Sequence, residues 1–276
     1  MIFGMSKLPM WTSKRSFEKE VENWEAQSKQ ASQTHPIKSL NKLPQMPGIS
    51  PETAKGLRWK SFKWMIGKDE GWRCIKHFLK HPIKYAIGYL RSLFSKKRYR
   101  RDGDFFFFGL QNEREFIDLC QKEEALIVVG FSYCHKPLEC PSGRFNPDCI
   151  ADVNHSTCQQ CFIGKMRHLL PPDKTIPLVI PTVHYIGEKI FETVHSYPER
   201  QVIFLITACE MTLEMFSDWG NMVGVKGIGV RLDGRICNTM KAFELSERGI
   251  KPGLTVVLEE TQKKMLQLIA SLYDRP

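Results

Sequence analysis

The chain has 276 residues, 42% of them hydrophobic, which suffices for one large core with a small appendage. Nine cysteines are too few, and odd in number, for a disulfide framework, and no uncharged apolar run approaches the roughly 18 residues of a membrane span. The opening MIFGMSKLPMWTSKR has neither an h-region nor a small-residue cleavage site. The expectation is a cytoplasmic chain, soluble or membrane-peripheral, in which clustered cysteines serve as ligands or redox thiols.

The net charge of +10 is uneven. Residues 1–104 carry 22 Lys/Arg against 9 Asp/Glu, and the rest carry 18 against 21. Two regions follow: a basic N-terminal arm with an amphipathic helix over 1–104, and a cysteine-rich α/β domain over 105–276. Residues 1–55 show little periodicity and read as an extended arm, broken at most by a short helix over SFEKEVENWEAQ.

From Trp72 the apolar residues recur at three- and four-residue intervals through Ile75, Phe78, Leu79, Ile83, Ile87, Leu90 and Phe94, the mark of an amphipathic helix. Pro82 should divide it, lacking the N–H and crowding the preceding turn. Lys76, Lys80, Lys84 and Arg91 lie off the stripe and KKRYRR follows. Such a helix either packs on the domain with solvated lysines or meets an anionic membrane surface or an acidic protein partner, with nucleic acid less favoured. NEREFIDLCQKEE reads as a helix, and Cys120 and Cys74 as small buried hydrophobes.

A strand–helix alternation comes next. ALIVVGF (125–131), IPLVI (176–180), VIFLIT (202–207) and GIGVRL (227–232) are unbroken apolar runs of strand length, each followed by a helical pattern, and an amphipathic helix closes the chain. The fold class is therefore α/β: a mostly parallel sheet of about four strands, helices on both faces, and a cysteine-rich loop at its carboxyl edge.

Cys134, Cys140, Cys149, Cys158 and Cys161 crowd the loop after the first strand, spaced C-x5-C-x8-C-x8-C-x2-C. Cys134, Cys209 and Cys237 each come just after a strand, where ligands sit in parallel sheets. Seven thiols thus converge on one edge. Cys-x2-Cys sulfurs can point at one metal, either in an iron–sulfur cluster, the leading expectation, or at zinc. Zinc's usual pair of C-x2-C knuckles is missing, and seven thiols exceed one site. They suit four cysteines on a cluster plus a three-cysteine site with an open position. Cys158 and Cys161 at a helix start could also act as a redox dithiol, or the thiols could be inert. His155, three residues before Cys158, extends the ligand run, and His135 and His184 fall near the same edge. Glu210 reads as a helix-start carboxylate, as a hydrogen-bond acceptor for a metal ligand, or as a general base. No phosphate-binding or nucleophile-elbow motif is present.

The segment 126–239 resembles the bacterial and archaeal domain of unknown function 116 family. The likeness rests on Cys134, Cys140-Pro141, Cys158-Gln159-Gln160-Cys161-Phe162-Ile163-Gly164, Ala208-Cys209-Glu210 and Cys237-Asn238-Thr239. The family has a further cysteine where this chain has His155, so the resemblance implies that His155 replaces it, that Cys149 moves in, or that the cluster is lost. It implies a cysteine-rich metal or redox domain and no particular reaction. The expected role is electron transfer, or an accessory step in a cofactor or sulfur pathway; the alternatives are a zinc-stabilised binding module and a thiol redox protein.

Overall fold

The computed structural model describes residues 14–40, 48–95, 98–251 and 253–273. The chain runs α1 (Lys14–Thr34), α2 (Pro51–Ala54), α3 (Leu57–Gly67), α4 (Ile75–Phe78), α5 (Pro82–Phe94), β1 (Arg100–Asp102), β2 (Phe105–Phe108) and α6 (Glu113–Cys120). Then follow β3 (Ala125–Ser132), α7 (Ser156–Gln160), α8 (Phe162–Leu169), β4 (Thr175–Ile180), α9 (Val183–Ser196), β5 (Gln201–Ala208), α10 (Glu210–Val223) and β6 (Lys226–Arg231). The short β7 (Asp233–Gly234), α11 (Met240–Ser246), β8 (Thr255–Val256) and α12 (Glu259–Ala270) end it.

The four apolar runs form the parallel heart of the sheet, whose order is β1-β2-β6-β5-β3-β4. The sheet has six strands rather than about four, because Arg100–Asp102 and Phe105–Phe108 form a hairpin that pairs antiparallel with β6. Phe105 and Phe107 pack on one face, Phe106 and Phe108 on the other. With both faces covered the strand shows no polar alternation, and its four residues carry no period of their own. Helices cover both faces. Ile163, Met166 and Leu169 of α8 and Met265 and Leu268 of α12 pack on one side; Ile186 and Ile190 of α9 and Leu213 of α10 pack on the other.

The N-terminal stretch departs from the extended arm expected over 1–55. Residues 1–13 and 41–47 of that arm lie outside the described residues. Lys14–Thr34 is a 21-residue helix. Phe17, Trp24 and Ala31 are buried at seven-residue spacing, Trp24 sits against His168, and Lys165 pairs with Glu25 at 2.8 Å. Pro82 opens α5 at its first turn, so the periodic stretch divides there. No described helix is long and apolar enough to cross a membrane.

Candidate thiol sites

Strand order locates the site. β4 lies on one side of β3 and β5 on the other, so the chain reverses direction across the sheet between β3 and β5. Crevices outside the carboxyl ends of parallel strands open at such switch points. Cys134 lies in the 3-10 turn Tyr133–His135 that follows β3, and Cys209 caps α10 directly after β5. Cys237 arrives from the segment after β6, the neighbour of β5, and the three thiols line one small pocket with Ser246 and Glu247.

The electrostatics of this trio are asymmetric. Lys251 places Nζ 3.1 Å from Cys237 Sγ, and Ser246 Oγ lies 3.4 Å from the same sulfur. Cys209 hydrogen-bonds Cys237, the largest of the causes that hold the Cys237 thiol well below its usual range, with the Lys251 ammonium next among the favourable ones. Cys209 is raised correspondingly, because it stays protonated as the donor and is buried. Burial also raises Cys134. The pocket therefore favours one thiolate, at Cys237, beside two neutral thiols. Glu247 is pushed up to about 8 by burial, with the Cys237 charge adding to the shift.

Replacing Lys251 with Met is expected to return Cys237 toward ordinary thiol behaviour. The ultraviolet thiolate absorbance, taken as the difference from Cys237→Ser, should then titrate at higher pH than in the wild type. A depressed pKa means this thiolate stabilises the fold above the ordinary thiol range, and that the contribution is lost as pH falls through the lowered value. An unchanged titration midpoint would remove Lys251 from this role.

The other four cysteines form a separate group. Cys140, Cys149, Cys158 and Cys161 line one narrow pocket with Lys136, Thr157 and Gly164, and no His, Asp or Glu shares the lining. Cys158 lies in α7 and Cys161 caps α8, where the backbone N–H groups of Ile163 and Gly164 point at its sulfur. Burial nonetheless dominates and pushes Cys161 up to about 12. A side chain at Gly164 would put its Cβ 2.5 Å from the Cys158 carbonyl oxygen, so glycine lets α8 close on the turn that holds both thiols.

Lys136 organises that loop. It is 1% exposed, and its ammonium donates to the carbonyls of Gly143, Asn146 and Asp148 and to Asn146 Oδ1 at 2.6–3.2 Å. Burial lowers its pKa, opposed by the negative charge available at Cys140, Cys149 and Cys161. Arg144 joins the two thiol groups by donating to the carbonyls of Cys134, Lys136, Lys251 and Gly253.

The remaining candidates have other partners. His155 caps α7, its Nδ1 accepting the Thr157 N–H at 3.2 Å, and lies outside the four-cysteine lining. His135 is buried against the Phe162 ring, and desolvation lowers it to about 4. His184 turns to α3, with Nε2 3.2 Å from the Met65 carbonyl oxygen. Glu210 pairs with Arg101 at 2.9 Å and lies 3.7 Å from Arg231. Cys74 and Cys120 are buried in apolar surroundings that push both up to about 12.

No family model, curated protein or solved structure matches the chain. The site is therefore read from its own geometry. Among the described residues, no three cysteine sulfurs lie within 4.8 Å of one another. The group that does meet that distance is His77, Glu188 and Glu192, on α4 and α9. Lys76 and Lys189 already hold its carboxylates at 2.6 and 2.7 Å. Sequence reasoning missed Lys136, Arg144 and Lys251. Nothing local marks them, since each acts on groups brought in by loops.

Proposed function

We propose that this chain is a metal-binding protein in which Cys140, Cys149, Cys158 and Cys161 hold an iron–sulfur cluster, with Cys134, Cys209 and Cys237 forming a thiol centre at the strand ends. Its role is electron transfer or an accessory step in a cofactor or sulfur pathway. The observation that carries the reading is the single pocket lined by four cysteines from separate stretches of loop, with a buried ammonium beside it. Four thiolates around one bound group need a counter-charge, and Lys136 supplies it without competing as a ligand. A single zinc about 2.3 Å from each sulfur draws four sulfurs to roughly 3.8 Å of one another. No three of these sulfurs lie within 4.8 Å of one another, a looser grouping than a single zinc requires. The resemblance of residues 126–239 to the domain of unknown function 116 family belongs to this proposal, and the narrowed ligand set leaves His155 as a cap. When bound, the cluster would supply one-electron redox chemistry. Cys161 and Cys158 enter the folded protein as raised thiols, so loading must release protons and weaken as pH falls.

A second reading, thiol redox chemistry, is favoured at Cys209 and Cys237 by their mutual hydrogen bond and the activated state of Cys237. Oxidation of the Cys209 thiol and the Cys237 thiolate to a disulfide would pass two electrons to an external disulfide or peroxide oxidant and release one proton.

Metal analysis of protein purified without oxygen tests the proposal. Iron and acid-labile sulfide with broad visible absorption are expected, abolished in Cys158→Ser/Cys161→Ser and retained in Cys209→Ser. Stoichiometric zinc without colour would establish a zinc-stabilised binding module instead. Neither metal would leave the dithiol, and full metal content in the double variant would sink both metal readings.

A further inference from the structure

The amphipathic helix α5 packs with the opposite sense to a core-facing helix. Tyr85, Gly88 and Ser92 face the protein: Tyr85 is buried, Ser92 Oγ donates to Asp218 at 2.8 Å, and a Cβ at Gly88 would meet the Met222 carbonyl at 2.5 Å. The apolar stripe faces outward. Ile83, Ile87, Leu90 and Phe94, at helical spacing, are 76, 52, 52 and 85% exposed. Trp59, Ile66, Trp72 and Leu79 extend the same exposure onto α3 and the turns around α4. A cluster of large apolar side chains left in water at this density marks a binding surface.

Behind that surface is a cavity of about 550 Å³ between α3, α5, α9 and α10. Among the described residues, no charged side chain lines it. Two of its polar groups are already engaged, Trp219 Nε1 with Ser61 Oγ and the Cys74 thiol with the His184 carbonyl. Its rim includes Ile66, Leu79 and Leu90, so it opens on the exposed face. Such a lining rejects a charged or hydrogen-bonding ligand and accepts a hydrocarbon chain. The surrounding charge selects the head. Residues 57–94 carry nine Lys/Arg against two Asp/Glu; Arg58 and Lys76 are taken up by Asp218 and Glu188, which leaves seven, and exposed aromatic side chains beside lysines fit the headgroup layer of an anionic bilayer.

We propose that the α3–α5 face docks on an anionic lipid bilayer and that the cavity behind it takes one acyl chain of a bilayer lipid. The inference is independent of which group the cysteines hold, and its test reads no metal.

The full-length protein is floated with vesicles of phosphatidylcholine alone and of phosphatidylcholine with phosphatidylglycerol. Binding is expected to the mixed vesicles, falling with added salt, and at least tenfold weaker in Ile83→Asp/Ile87→Asp, whose melting temperature should be unchanged because both side chains are solvent-exposed. Protein recovered from mixed vesicles should retain one phospholipid by native mass spectrometry. Ala86→Trp, which fills the cavity from its rim, should retain none. The docking surface is overturned if the wild type ignores mixed vesicles, binds both kinds alike, or loses nothing in the Asp variant. A wild-type dimer that the Asp variant splits would make the face an interface between copies. Equal lipid retention by Ala86→Trp would overturn the cavity assignment.

Discussion

Replacing Lys136 with Met should lower the melting temperature by roughly 5–10 °C and, if the four cysteines hold the proposed cluster, strip most of the bound metal. The ammonium serves four oxygen acceptors spread over Gly143, Asn146 and Asp148, which fixes the path of the loop between Cys140 and Cys149. Hydrogen bonds from a charged donor are each worth about 1.5–3 kcal/mol, whereas burying an ammonium costs several kcal/mol. The difference leaves a net loss of about 2–4 kcal/mol for the variant rather than the full sum. Metal content should suffer more than stability. Desolvation raises Cys158 and Cys161, and the Lys136 charge becomes indispensable only when the thiols ionise around a metal. Comparing melting temperature and bound metal in one preparation separates the two effects. A variant that keeps its metal while losing only stability would reduce Lys136 to a loop staple. A variant unchanged in both would leave no role for it.

The parallel sheet was legible because β3, β4, β5 and β6 are unbroken apolar runs, which only burial on both faces explains. The hairpin of β1 and β2 was not, since Phe105–Phe108 could be strand or helix core until pairing with β6 decides it. Helix α1 was legible only in part, as the short helix over SFEKEVENWEAQ that lies inside Lys14–Thr34, and its full length escaped for a different reason. Its buried residues, Phe17, Trp24 and Ala31, form a stripe one side chain wide, so the surrounding Glu, Lys and Gln mask the period. Periodicity identified α5 as amphipathic but could not give its sense. Gly88 and Ser92 decide that, by allowing the close approach to α10 that a larger side chain would forbid. The convergence of Cys134, Cys209 and Cys237 followed from strand ends alone. Which thiols share a pocket did not, because the loop's path is set by Lys136 donating to carbonyls within it and by Arg144 reaching across to Lys251 and Gly253.

Substituting Arg231 with Met is expected to be among the most destabilising single changes, costing about 3–5 kcal/mol. Its guanidinium is 2% exposed and stands among three carboxylates, 3.0 Å from Asp104, 3.3 Å from Asp233 and 3.7 Å from Glu210. Thr261 donates to Asp104, and the Gly234 N–H to Asp233, so these acids are fixed in place. Methionine fills much of the volume but removes the guanidinium that Asp104, Asp233 and Glu210 share, while Arg101 still holds Glu210 at 2.9 Å. The loss comes from that missing charge, not from a cavity. Adding Glu210→Gln should therefore recover part of it, and the double variant should be more stable than Arg231→Met alone. The consequence reaches the thiols, because Glu210 follows Cys209 and Arg231 and Asp233 open the segment that delivers Cys237. Chemical denaturation of the single and double variants, read beside the Cys237 titration, tests both links. Equal stability of Arg231→Met and wild type would show that hydrophobic packing, not the guanidinium, holds the strand ends together.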